Sequence, residues 1–112
     1  MTDETKLLWA AAKASGRELG GWNADREAYY CDNAYFWNPL RDDGDALRLA
    51  VTLDIELYQG DDDGPSVYAG YWGKPERRDV TRMFCIEPLG SDPHAATRRA
   101  IVNAAAAMGR CA

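Results

Sequence analysis

Apolar and polar positions alternate along this chain with two periods, and each change of period marks a new element. Leu7, Leu8, Ala11 and Ala14 follow one another at helical spacing behind Thr2, which suits an N-cap. Asp3 and Glu4 fall in the first turn and Gly16 can close the end, so a helix is expected over 3–15. From Arg17 to Pro39 the chain is rich in Gly, Tyr and Trp. Short extended pieces at Glu18 to Trp22 and Ala28 to Asp32, with turn-forming residues at Asn23, Ala24 and Asp25, predict a hairpin.

The stretch FWNPLRDDGDALRLAV, Phe36 to Val51, changes the period again. Pro39 keeps Asn38 out of any helix, and Trp37 is an apolar anchor. Behind Asp42 or Asp43, residues Ala46, Leu47, Ala50, Val51 and Leu53 recur at intervals of three and four, which predicts a second helix. Ile55 to Tyr58 alternates as a strand, Gln59 to Pro65 is turn-forming throughout, and Ser66 to Trp72 resumes as a second strand, giving a hairpin with an acidic tip. A loop over Gly73 to Arg78 leads to Val80 to Glu87. There Val80, Phe84 and Ile86 share one face and Met83 and Cys85 the other, a pattern that suggests an interior strand. Ser91, Asp92 and Pro93 open a last helix whose Ile101, Ala104, Ala105 and Met108 lie on one face. Gly109 is expected to end it, and its alanines suit close backbone approach. The expected fold is α+β: one small domain over 1–112, with a mainly antiparallel sheet of about four to five strands packed by three helices.

Composition narrows the function classes. Hydrophobic residues make up 46% and charged residues 28%, so a chain of 112 residues can build one core without disulfides or a structural metal. Acids outnumber bases by 18 to 13, a net charge of −5 that argues against direct binding of nucleic acid and accommodates a basic partner. Cys31, Cys85 and Cys111 are widely spaced, with a single histidine, His94, to assist them; free thiols are expected, and no zinc site or other cofactor. Acids at the N-terminus and the lack of a long apolar run predict a cytoplasmic protein with no signal peptide and no membrane span.

Asp42, Asp43 and Asp45 could be metal ligands, catalytic acids or helix-opening residues. A calcium loop starting at Asp43 would need glutamate at its twelfth position, where Asp54 stands, and its glycine comes too early at Gly44. Capping is the better reading. No phosphate loop, nucleophile elbow or zinc-hydrolase motif occurs, and His94 has no nucleophile near it in sequence, so no catalytic residue is assigned.

The aromatic residues point elsewhere. Four Trp and six Tyr are a heavy load for so short a chain. On the second hairpin strand Tyr68, Gly70 and Trp72 share one face and Tyr71 takes the other, so if one face packs, a large ring is left for solvent or a partner. Packing across the sheet or beneath a helix is the alternative. The candidate partner-binding residues are Asp61, Asp62, Asp63, Tyr68, Tyr71 and Trp72.

The segments WNPLRDDGDALRLAV and DPHAATRRAIVNAAAAMGR resemble those of a group of small uncharacterised proteins encoded by bacteriophages and prophages of proteobacteria. The layout is also broadly similar to the NinX-like family of lambdoid phage proteins. The resemblance implies origin in a phage and a site of action in the host cytoplasm. With the residue pattern, it gives the leading expectation: a non-enzymatic accessory protein that binds a host or phage macromolecule. Its most concrete form is a counter-defence inhibitor, such as an anti-CRISPR protein, acting on a basic nucleic-acid-binding protein or defence complex; homo-oligomers are left open. The alternative is a small enzyme or ligand-binding domain with an acid- and tyrosine-lined pocket.

Overall fold

Among the described residues the chain forms three helices and six strands in the order α1 (Asp3–Ser15), β1 (Leu19–Asn23), β2 (Ala28–Cys31), β3 (Tyr35–Trp37), α2 (Asp43–Leu53), β4 (Glu56–Gly60), β5 (Ser66–Trp72), β6 (Arg82–Pro88) and α3 (Pro93–Cys111). The structure is a computed structural model and describes residues 2–32, 34–61, 64–72 and 82–111, with only the backbone at 82 and 111. The α+β class is as expected. The single sheet of four to five strands is not: six strands divide into two antiparallel meanders, β1-β2-β3 and β4-β5-β6. Each strand pairs with its neighbour in sequence, and α2 stands between β3 and β4, so the two ladders are built separately.

Local chemistry sets the helix ends. Thr5 N–H donates to Thr2 Oγ1 at 3.2 Å, and Gly16 takes φ 73° to close α1 over the carbonyls of Ala12 and Lys13. Asp42 caps α2 by accepting from Asp45 N–H at 2.8 Å, and Asp92 caps α3 by accepting from Ala95 N–H at 3.0 Å. In α2 the buried face is Asp45, Ala46, Leu49 and Ala50, while Leu47 and Val51, expected inside, are 63% and 74% exposed. Spacings of three and four fit two neighbouring stripes of this helix, and the one led by Leu49 meets the core.

Helix α3 is the spine of the core. It packs on α1, on α2 and on one face of β5 and β6. Its Ala96, Ala100, Ala104, Ala105 and Ala106 are fully buried, as small side chains in a close contact should be. Gly109 does not end the helix, which continues to Cys111. A Cβ there would lie within contact distance of the Ala10 carbonyl oxygen and 2.9 Å from its carbon, so this glycine lets α1 and α3 meet backbone to backbone.

Around α1, Trp9 and Trp22 both pack edge-on against Tyr29, at 5.8 and 5.0 Å between ring centres, and Trp9 Nε1 donates to Tyr29 Oη at 3.0 Å. The first sheet is thereby tied to α1. In the second sheet β6 is an edge strand rather than an interior one, with β5 between β4 and β6; Val80, at the start of the expected strand, lies outside the described residues.

Candidate functional site: the open face of the second sheet

The conspicuous motif of the chain is scaffold. Trp37 is fully buried at the end of β3, and Asn38 directly after it is 3% exposed. Asn38 spans three segments: its N–H donates to Asp45 Oδ2 at 3.0 Å, its Nδ2 donates to the Glu27 carbonyl at 2.6 Å, and its Oδ1 accepts from Leu40 N–H at 3.0 Å. Asp45 also accepts from Arg48 at 2.8 Å, and Asp43 accepts from Arg98 of α3 at 2.6 Å. The three aspartates therefore cap α2, fix the turn before it and join it to α3. Asp42→Ala should cost about 0.5–2 kcal/mol in chemical denaturation, with Ser or Asn at the same position restoring most of the loss. Asp45→Ala should cost about 1–3 kcal/mol, since it orphans a buried N–H.

The open face belongs to the second sheet. Along β5 the residues Val67, Ala69 and Tyr71 turn inward to α3 and are buried, which sends Tyr68, Gly70 and Trp72 outward. The register places Tyr58 of β4 opposite Tyr68, and Ile86 and Phe84 of β6 opposite Tyr68 and Gly70. Phe84 meets Tyr58 at 6.1 Å and Tyr68 at 6.5 Å between ring centres, both edge-on. Tyr58 Oη donates to Glu56 on the same face. The Tyr68 ring also lies over Gly60, where a Cβ would sit 3.1 Å from its Cζ. Tyr58, Phe84 and Ile86 remain 46%, 49% and 55% exposed, so an apolar surface runs across the three hydrogen-bonded strands.

The residues expected to bind a partner are only partly brought together. Tyr68 and Trp72 lie on the open face, half-buried. Tyr71 is 8% exposed on the opposite face and belongs to the core. Asp61 is exposed just after β4, while Asp62 and Asp63 lie outside the described residues. Tyr58, Phe84 and Ile86 were missed. The signal for the last two was present: they alternate onto one face of β6, and a three-stranded sheet with one helix layer leaves one face uncovered.

Two recesses elsewhere are lined by side chains already engaged in the scaffold. One of about 530 Å³ is lined by Arg41, Arg98 and Arg99, but Arg41 pairs with Glu4 and Glu27, Arg98 with Asp43, and Arg99 with Glu87. Another, open and lined by Tyr35, Phe36, Asp42, Asp45 and Arg48, comes nearest to an acid- and tyrosine-lined pocket, and both of its acids are engaged by α2 as described above. Among the described residues no three His, Cys, Asp or Glu side chains converge as a metal site.

Beside β3, Arg17 stacks 5.5 Å from the Trp37 ring centre, donates to Tyr35 Oη and pairs with Asp32 at 3.7 Å. The Glu18 N–H, donating to Asp32 at 2.9 Å, holds that carboxyl below its usual range, aided by Cys31 and Arg17. Burial, reinforced by Asp32, pushes the Cys31 thiol up to about 11. Burial also raises Cys85, with Glu87 contributing. Cys31 and Cys85 are free thiols, one fully buried and one half-buried, while the Cys111 side chain is outside those described. The Cys31 thiol, neutral in the fold, ionises more readily once unfolded, so its contribution to stability holds below pH 9 and declines as pH rises toward 11. Denaturation midpoints across that window should fall less for Cys31→Val than for the parent. Native thiol labelling should proceed more slowly at Cys31 than at Cys85.

Comparison of the chain with family models, with curated proteins and with solved structures returned no match.

Proposed function

We propose that the protein is a non-enzymatic binding module whose open β4-β5-β6 face docks onto a basic surface of another protein. The observation that carries this reading is the run of exposed apolar side chains Tyr58, Phe84 and Ile86 on one rigid face, with Tyr68 between them. Aromatic side chains supported by a sheet lose little freedom on binding, and Tyr and Trp concentrate where interfaces draw their affinity. Glu56 and Asp61 put negative charge beside the apolar centre, and the chain as a whole carries −5, so the fitting partner has a basic rim around an apolar patch. The basic nucleic-acid-binding surface of a bacterial defence complex has that chemistry. With the resemblance to small phage proteins, it leads to the proposed role of a counter-defence inhibitor acting in the host cytoplasm.

Two changes separate the parts of this reading. Phe84→Ala removes an exposed ring and should leave the melting temperature nearly unchanged while speeding dissociation about tenfold or more, a loss above about 1.4 kcal/mol. Neutralising Asp61, Asp62 and Asp63 together should instead slow association and flatten its salt dependence. Surface plasmon resonance on a captured partner reads both rates; unchanged rates in two folded variants would remove this face from consideration.

A further inference from the structure

The arginine-lined recess of about 530 Å³ carries a second inference, independent of what the open face binds. It is formed by the opening turns of α3, the start of α1 and the turn before α2, and none of its lining residues belongs to β4, β5 or β6. Three guanidinium groups, those of Arg41, Arg98 and Arg99, line it in a chain that carries −5. The carboxylates of Glu4 and Asp92 line it too, so three positive charges against two negative leave it one positive charge in excess. Asp92 is occupied in capping α3.

Each arginine already holds a partner, and the geometry of those contacts leaves capacity for a ligand. Arg41 Nε stands 3.1 Å from Glu27 and 3.5 Å from Glu4, and Arg99 Nε stands 3.8 Å from Glu87, with both arginine side chains about half exposed. Exposed pairs of this kind hold a long side chain weakly. Glu87 does not depend on Arg99, because Asn103 Nδ2 donates to it at 2.9 Å. Arg98 is more firmly placed: its Nε donates to the Leu40 carbonyl at 2.9 Å and its Nη1 to Asp43 at 2.6 Å. Those two bonds fix the group beside the recess and use two of the five donors that a guanidinium carries.

We propose that this recess binds a phosphate monoester of a small hydroxylated molecule. A guanidinium fork matches the oxygens of a phosphate in pairs, and three forks around one recess suit a group with three peripheral oxygens and nearly two negative charges. A carboxylate, with two oxygens and one charge, would leave part of that set unused. Glu4 can accept from ligand hydroxyl groups, and Leu7, Leu40 and Ala95 offer apolar surface to the rest of the molecule. The volume lies within the range of about 300–1,000 Å³ usual for small-molecule sites. Attraction here is local, because the negative charge of the chain as a whole is screened beyond about 8 Å in physiological salt. A nucleotide and a polyol phosphate share this chemistry, and the test separates them.

A heteronuclear NMR titration of the full chain with adenosine monophosphate, glycerol phosphate and inorganic phosphate tests this directly. At least one of the two esters should give saturable shifts at the amides of Arg41, Ala95, Arg98 and Arg99, with a Kd below about 1 mM and about tenfold or more below that of inorganic phosphate. Arg41→Gln and Arg99→Gln should each raise that Kd about tenfold or more with unchanged circular dichroism. Arg41→Lys and Arg99→Lys keep the charge and lose the fork, so each should restore only part of the affinity; they also read the loss of the fork should a glutamine variant melt lower. No saturable shift with either ester at about 10 mM overturns the proposal. So does binding indifferent to all four substitutions, and so does inorganic phosphate held as tightly as the esters, since the lining beyond the arginines would then contribute nothing. None of these outcomes touches the Phe84→Ala test of the open face.

Discussion

Replacing Gly109 by alanine is expected to destabilise the protein by about 3 kcal/mol, the upper part of the range for overpacking a well-filled contact. The added methyl has nowhere to go: it would meet the Ala10 carbonyl group, with the Ala14 nitrogen 3.3 Å away, and both are backbone atoms that cannot rotate aside. Relief requires α1 and α3 to separate, which also loosens the buried alanines between them. In a thermal scan the loss corresponds to a fall of about 10 °C or more in melting temperature. Gly21→Ala is the control, because nothing lies within 4 Å of its missing Cβ and its φ is ordinary; it should change stability by about 0.5 kcal/mol or less. If both alanines behave alike, the close crossing of α1 and α3 is wrong.

Trp37→Ala should be at least as damaging, at about 3–5 kcal/mol in equilibrium denaturation. The indole is the largest fully buried side chain described, and its removal empties the centre of the packing beneath β3 and withdraws the ring on which Arg17 stacks. Trp37→Phe should cost less than half as much. The Trp37 Nε1 has no hydrogen-bond partner among the described residues, so phenylalanine forfeits volume and part of the stacking but no paired donor. Equal losses from the two substitutions would mean that a bond through Nε1, rather than shape, holds this position.

Those two residues show where the sequence was legible and where it was not. The helix starts were readable, Thr2 as a single residue, Asp42 as one of the pair Asp42 and Asp43, and Asp92 within Ser91 to Pro93, because a side chain that accepts from the backbone three residues on is a local interaction; so was the span of β5, set by local alternation. Gly109 was misread because glycine serves both to end a helix and to admit a neighbour; only the position of α1 distinguishes these uses. The burial of Leu49 rather than Leu47, and the division of the strands into two sheets, are likewise tertiary facts with no local signature. At the candidate site the parity of β5 was correct, with Tyr71 opposite Tyr68 and Trp72, but parity does not say which face meets a helix. Phe84 and Ile86 were assigned to an interior strand because apolar residues on both faces usually mean burial, whereas here one face of β6 packs on α3 and the other is open.

The central proposal is that the β4-β5-β6 face is where this protein meets its partner. The most direct measurement is parallel affinity capture from a proteobacterial lysate with the parent chain and with a Phe84→Arg, Ile86→Arg double variant, followed by quantitative mass spectrometry. Both substitutions fall on exposed positions, so circular dichroism should match the parent, while two positive charges now sit in the apolar centre of an acidic-rimmed face and oppose a basic partner. The predicted result is a basic protein or complex retained by the parent and depleted about tenfold or more by the variant. An identical captured set from two equally folded chains would contradict the proposal and move the search for function to another surface.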